Sequence, residues 1–361
     1  MSAPTEAEAR TLIARKAESL AMTGEITADT ALSELLQQWI EDRVDRVRPQ
    51  TTRMYRDTVR WLAPFVGALT VAELRPATIK RILTRVEKER SSSAAHHARV
   101  ALSGALGLAV EEDVISSNPV LSLRRREPKP TVPIALGSRE VLALRSAIVR
   151  REERVRSTAG QGPAFVLRWV VELQLGSGLR IAEVLALRMM DYDAGAGTIA
   201  VLGTLTDNEQ WELVRQPELK GRGQARQVRL PVFAVAAIEE AIAHTPRGGQ
   251  RRPTDPLIQG RAPGWISPRN VRRSMRTLRS DEELVEVFTS TGIDIKELTP
   301  HLLRRTAATL VAIHSGNLTD AQALLGHSDL RTTRQHYAGS AYTTVGSATA
   351  LDEILGSTVS D

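Results

Sequence analysis

Thr299-Pro-His-Leu-Leu-Arg304-Arg-Thr-Ala-Ala-Thr-Leu310 is the stretch from which the rest of this chain is best read. Thr299 suits the N-cap of a helix, because its hydroxyl can accept from a backbone N–H that has no partner in the first turn. Pro300 suits the first helical position, where no N–H is needed. At 100° per residue, Leu303, Ala307, Leu310 and Val311 form the buried stripe, and His301 and Arg304 share the other side as i, i+3 neighbours. One group that titrates near neutrality and one permanent cation then meet at a helix N-terminus, which itself attracts anions. Such a pair can hold a phosphate; taken alone, it reads more readily as a capped amphipathic helix with a surface His and Arg. Arg305 lies near the same face, and spacing does not choose between the two arginines.

Towards the C-terminus, Thr319-Asp-Ala-Gln322 reads as a capping box and Gly326 as the left-handed residue that closes the helix, which places His327 just past a helix end. Tyr337 follows ten residues later, one of only four tyrosines; by itself it reads as the edge of an apolar core. Towards the N-terminus, a helix over Ala164–Leu175 is broken by Gly176 and Gly178. Leu179 opens the next, with Ile181, Val184, Leu185 and the stem of Arg188 on its buried face. Arg180 and Glu183 fall opposite, one turn apart, as a surface ion pair worth about 0–1 kcal/mol would. Lys220 sits in the turn Glu218-Leu-Lys-Gly-Arg-Gly223, where a lysine commonly protects a strand edge. It is also the sole lysine between positions 129 and 296, so general lysine usage does not account for it.

Strands are expected at Thr198–Leu202 and Gln227–Leu230, from their β-branched and alternating residues, with helices over Val232–His244 and Ser267–Arg279. Ala31–Trp39 carries apolar residues at i, i+3, i+4, i+7. A second helix follows Pro49, capped by Thr51 or Thr52 and interrupted at Pro64 and Gly67, and two more cover Pro76–Val86 and Ala94–Val110. Arg124-Arg-Arg-Glu-Pro-Lys-Pro-Thr-Val-Pro133 has the composition of an extended tether. The expected fold class is mainly α with a small antiparallel β-sheet (α+β). The expected layout is an N-terminal extension (1–30), a helical domain (31–123), a basic, proline-containing linker (124–137), a larger domain (138–345) and a tail (346–361).

Composition narrows the chemistry. The chain has 361 residues and no cysteine, which excludes disulfides, cysteine-bound zinc, iron–sulfur clusters and thiol catalysis. No apolar run approaches the ~18 residues of a membrane span, and the start Met1-Ser-Ala-Pro-Thr-Glu6 lacks a secretory signal core, so a cytoplasmic location is expected. Net charge is +6, carried mostly by arginine, whose planar fork matches phosphate oxygens.

Singly these features are weak. In their order, Arg…Lys…His-x-x-Arg…Gly-His…Tyr, they resemble the tyrosine recombinase family, in its phage-integrase branch. The resemblance covers about residues 31–345: Gly176-Ser-Gly-Leu-Arg-Ile-Ala-Glu-Val-Leu-Ala-Leu187, Arg215-Gln-Pro-Glu-Leu-Lys220, His301 to Leu310, and Leu324-Leu-Gly-His-Ser328 with Thr332-Thr-Arg-Gln-His-Tyr337-Ala. Thr51-Thr-Arg-Met-Tyr-Arg56 and Ala101-Leu-Ser-Gly-Ala-Leu106 through Ser117-Asn-Pro119 are similar to the family's helical, SAM-like core-binding domain.

The resemblance implies a core-binding domain followed by a catalytic domain that breaks and rejoins DNA through a 3′-phosphotyrosyl bond, with neither cofactor nor metal. Tyr337 would be the nucleophile, Arg180 and Arg304 would clamp the phosphate, and Lys220 would be the general acid for the leaving 5′-oxygen. His301 would be a proton acceptor or hydrogen-bond donor near the phosphate, His327 would donate a hydrogen bond there, and Glu183 would orient the basic residues. Implied partners are double-stranded DNA attachment sites and a homotetramer on synapsed DNA, with an excisionase or a host DNA-bending protein as accessory factors and no membrane.

Three departures stand out. Arg305 replaces a second His common in relatives. The 81 positions from Lys220 to His301 suggest an extra surface element within Asp281–Ile295. The first thirty residues are too few for a strand-containing arm-binding domain. Ala348–Leu355, with Leu351, Ile354 and Leu355 on one face, suits either docking on a neighbouring protomer or capping its own. Integration or excision of a phage or mobile element is the leading expectation. The alternatives are an Xer-like chromosome or plasmid multimer resolvase, a non-catalytic DNA-binding regulator, and a type IB topoisomerase.

Overall fold

The computed structural model describes residues 25–44, 46–47, 49–124, 134–157, 166–208, 212–217, 225–244, 251–260, 262–325 and 347–356. The chain divides into two compact units, Met1–Lys129 and Pro130–Asp361.

The first unit holds α1 (Leu32–Arg43), α2 (Pro49–Val66), α3 (Pro76–Glu89) and α4 (Ser92–Glu111). Leu32, Leu35, Leu36, Trp39 and Ile40 bury one stripe of α1. Ala98, Ala101, Ala105 and Ala109 keep α4 slim enough to lie against it. A Cβ at Gly104 would overlap the Trp39 indole, so the ring takes space that only glycine leaves. Ser91 caps α4 by accepting from the Ala94 N–H at 3.1 Å. Asn118 fixes the chain after it, donating to the Ser103 carbonyl at 2.8 Å and accepting from the Val120 N–H at 3.0 Å. Helix α2 departs from expectation in two ways. It starts at Pro49, with Thr52 buried inside it rather than capping it. It also runs through Pro64 to Val66: Pro64 lies on the exposed face, while Leu62 and Val66 bury their side chains on the opposite face. Gly67, at φ +57°, ends it.

The second unit is built around α6 (Val166–Ser177), buried on nearly every side. Around it pack α5 (Ser138–Ser157), the one-turn α7 (Ile181–Val184), α8 (Val232–Ala243), α9 (Pro268–Leu278), α10 (Glu282–Ser290), α11 (Pro300–Ser315), α12 (Leu318–Leu325) and α13 (Ser347–Leu355). β1 (Tyr192–Asp193), β2 (Thr198–Val201) and β5 (Arg226–Arg229) form an antiparallel sheet in the order β1-β2-β5, with Ile199 opposite Val228 and Val201 opposite Arg226. A separate hairpin, β3 (Thr204–Asp207) and β4 (Leu213–Gln216), was not expected; four-residue strands this polar carry little alternating signal.

Two further expectations are corrected. The helix after Leu179 is a single turn, followed by a 3₁₀ turn at Met189–Asp191. The cap of α12 is Asn317, whose side-chain oxygen accepts from the Thr319 N–H at 2.9 Å, and Thr319 is already helical. Asp281–Ile295 holds α10, a helix with one buried face and one exposed face. Leu284 and Phe288 of α10 are fully buried against α5, and Asp281 both caps the helix, through the Leu284 N–H at 3.2 Å, and takes a two-pronged bond from Arg150. The C-terminal α13 packs on its own chain: Leu351 and Leu355 are buried, Arg145 Nη1 donates to the Leu355 carbonyl at 2.6 Å, and Asp352 accepts from the Val232 N–H at 2.8 Å.

Candidate active site

The site is assembled where the end of α6, the turn into α7 and the start of α11 converge. Thr299 caps α11 through the Leu302 N–H at 3.3 Å, Pro300 opens it, and Gly316, at φ +67°, closes it, so local sequence sets both ends of the helix. Fully buried Gln174 donates to the carbonyls of Leu179 (3.2 Å) and Pro300 (3.1 Å), tying the turn to the helix start. Gly178 takes φ +62°, and a Cβ there would lie 3.1 Å from Leu324 Cδ2. Its carbonyl is thereby turned towards α11.

Arg304 is the inward arginine. It is 3% exposed, donating from Nη1 to the Gly178 carbonyl at 2.7 Å and from Nη2 to the Leu325 carbonyl at 2.9 Å. Arg305 instead reaches the Ile134 carbonyl at 3.3 Å. Helix spacing could not choose between them; the acceptors offered by two distant turns do.

Glu183 is not part of a surface ion pair. It is 2% exposed and gathers three guanidiniums: Arg180 Nη1 at 2.7 Å, Arg226 Nη2 at 3.1 Å and Arg304 Nη1 at 3.9 Å, with the Arg180 N–H at 3.1 Å as well. Burial pushes the Glu183 carboxyl up, but Arg226, Arg180 and Arg304 together outweigh it and hold the group below the usual glutamate value. Three guanidiniums thus gather around one carboxylate, and Arg304 also donates to the two carbonyls above. Such a concentration of guanidiniums suits an anionic ligand.

Arg180, Arg304 and exposed His301 line one cleft of about 440 Å³ beside the N-terminus of α11. Arg272 and Arg276 of α9 and Arg279 at its C-cap line it too. Sequence reasoning missed these three, although they follow Val271, Met275 and Leu278 at the same i, i+4, i+7 spacing, one residue on. It also missed Arg226, for which no local signal exists. Lys220, His327 and Tyr337 lie outside the described residues. Among the described residues no group of three or more His, Asp or Glu stands together as a metal site, and no helix is long and apolar enough to cross a membrane.

Fold and cleft together are those of a mainly helical protein with an arginine-lined cleft. The phage integrase family model matches residues 155–344, and the phage integrase central domain model matches residues 32–126. The chain belongs to the phage integrase family, the tyrosine recombinases. It is 28% identical over 326 residues, 89% of this chain and 88% of the relative, to tyrosine recombinase XerC of Xanthomonas campestris pv. campestris (strain B100). It is 33% identical over 217 residues, 59% of this chain and 55% of the relative, to XerC of Methylobacterium sp. (strain 4-46). Its fold is similar to that of the Tn1549 transposon integrase in complex with transposon right end DNA, with TM-score 0.67 and 20% identity over 91% of this chain and 100% of that one. It is likewise similar to a lambda integrase tetramer bound to a Holliday junction, with TM-score 0.59 and 16% identity over 96% of this chain and 91% of that one.

Proposed function

We propose that this protein is a site-specific recombinase that cleaves and rejoins double-stranded DNA to integrate or excise a mobile element. The carrying observation is the cleft in which Arg180 and Arg304, tied to one buried carboxylate, stand beside His301. The Tyr337 hydroxyl attacks phosphorus as His301 takes its proton, a 3′-phosphotyrosyl bond forms, and the P–O5′ bond breaks as Lys220 protonates the leaving oxygen. Arg180 and Arg304 balance the second negative charge that the phosphate acquires in the transition state, and His301 and His327 complete the hydrogen bonds to its oxygens. Rejoining reverses the step with a partner strand's 5′-hydroxyl, so bond energy is conserved. The DNA-bound dimers and tetramers of lambda integrase support assembly of this chain as a tetramer on two duplexes.

The test is covalent trapping of wild type and Tyr337→Phe on supercoiled DNA that carries the sequence flanking this gene. A denaturant-resistant adduct in wild type alone is the expected result. An adduct that survives in Tyr337→Phe overturns the choice of nucleophile, and tight binding without any adduct favours a DNA-binding regulator. The near full-length likeness to XerC supports a second reading, resolution of chromosome or plasmid multimers. Exchange confined to direct repeats on one circle would favour it.

A further inference from the structure

We propose that Arg226 is a positioning residue for DNA cleavage: from β5 it holds the Glu183 carboxylate in the orientation that sets Arg180 and Arg304 towards the phosphate. This rests on the cleavage reading above. Arg226 does not line the cleft, and its side chain is 11% exposed, so it acts through Glu183 rather than on DNA. Its backbone is fixed by pairing opposite Val201, whereas Glu183 belongs to a helix of one turn that has little stiffness of its own. Arg226 Nη2 reaches Glu183 Oε2 at 3.1 Å, and Arg180 Nη1 takes the other oxygen, Oε1, at 2.7 Å. The two guanidiniums thus pin the carboxylate from both ends. Without Arg226, Oε2 keeps the Arg180 N–H at 3.1 Å and Arg304 at 3.9 Å, and rotation about the terminal torsion is soft. Arg180, at 34% side-chain exposure, would follow the carboxylate away from its working position. A sheet residue thereby imposes its rigidity on the phosphate-facing arginine.

The experiment uses the full chain and compares wild type, Arg226→Met, Arg226→Lys, Glu183→Gln and the Arg226→Met/Glu183→Gln double variant. DNA affinity and the single-turnover rate of adduct formation at saturating DNA are measured separately. For Arg226→Met the expected affinity is within about twofold of wild type, with cleavage slowed by about 10- to 100-fold, the usual range for losing a partner that orients a working group. Arg226→Lys, which keeps the charge, should recover most of that rate. The double variant should be no slower than Glu183→Gln, because both changes break one linkage. Wild-type cleavage by folded Arg226→Met, additive losses in the double variant, or affinity falling in step with rate would each overturn the proposal. If Arg226→Met does not fold, Arg226→Gln, which keeps a polar group but not the charge, decides the same point with and without Glu183→Gln: a wild-type rate in the single variant or additive losses in the double overturn the proposal. A wild type that binds but forms no adduct refutes the cleavage reading itself, and the proposal falls with it.

Discussion

Replacing Glu183 by Gln keeps the side chain's shape and removes one charge from beneath three guanidiniums, which makes it a direct probe of the cluster. The carboxylate is 2% exposed and accepts from the Arg180 N–H (3.1 Å), Arg180 Nη1 (2.7 Å) and Arg226 Nη2 (3.1 Å). In the amide, one acceptor oxygen becomes an NH2 that faces N–H donors. Hydrogen bonds to a charged group contribute about 1.5–3 kcal/mol each. The neutral amide recovers part of this through its lower desolvation cost, and Arg180 can turn to water. The expected loss is about 3 kcal/mol at pH 7, the lower end for breaking a buried pair. For a unit of this size that corresponds to a melting point about 6–12 °C lower. Urea-dependent hydrogen exchange of α6 and α11 amides between pH 8 and pH 3 reads the second unit alone. Because the native carboxyl titrates below the unfolded one, its stabilisation is complete above the ordinary glutamate value of about 4.3 and is lost as pH falls through the lowered native value. The gap between wild type and variant should therefore be flat from pH 8 to pH 5 and close below pH 4. A gap under about 1 kcal/mol at pH 7, or one unchanged at pH 3, would refute the picture of a carboxylate held by three cations.

Gly178→Ala should cost about 1–2 kcal/mol, from a left-handed backbone at φ +62° and a Cβ pressed against Leu324; thermal unfolding checks it, and wild-type stability would contradict the strained turn. The same variant should slow cleavage, since the Gly178 carbonyl holds Arg304. Asp281→Asn should destabilise the second unit by about 2–3 kcal/mol at neutral pH, losing the Arg150 fork and weakening a helix cap. The Arg150 hydrogen bond is the main cause of that carboxyl's lowered titration, so the difference should persist above about pH 3.9 and vanish as pH falls through the native value. Equal urea midpoints at pH 7 would sink this assignment.

Much of the helical frame is legible from neighbours in sequence. Thr299, Pro300 and Gly316 mark the ends of α11, Ser267 and Pro268 the start of α9, and apolar spacing alone identifies the buried stripe of α1. Local reading failed where a distant surface decides. Pro64 looks like a stop until α2's buried face is seen to hold the helix past it, and nothing near Leu284 and Phe288 in sequence says that they meet α5.

The candidate site divides along the same line. The sequence by itself determined which residue types occur and in what order, with Arg180 one turn from Glu183 and His301 one turn from Arg304, because a helix turn is a property of adjacent residues. Only the tertiary structure decided that Arg304 rather than Arg305 faces inward, that Arg226 joins Glu183, and that three arginines of α9 and its C-cap share the cleft. A charge is oriented by its acceptors and its burial, and here those come from the Gly178 turn, the end of α12 and a β-strand, segments that only folding brings within hydrogen-bond reach.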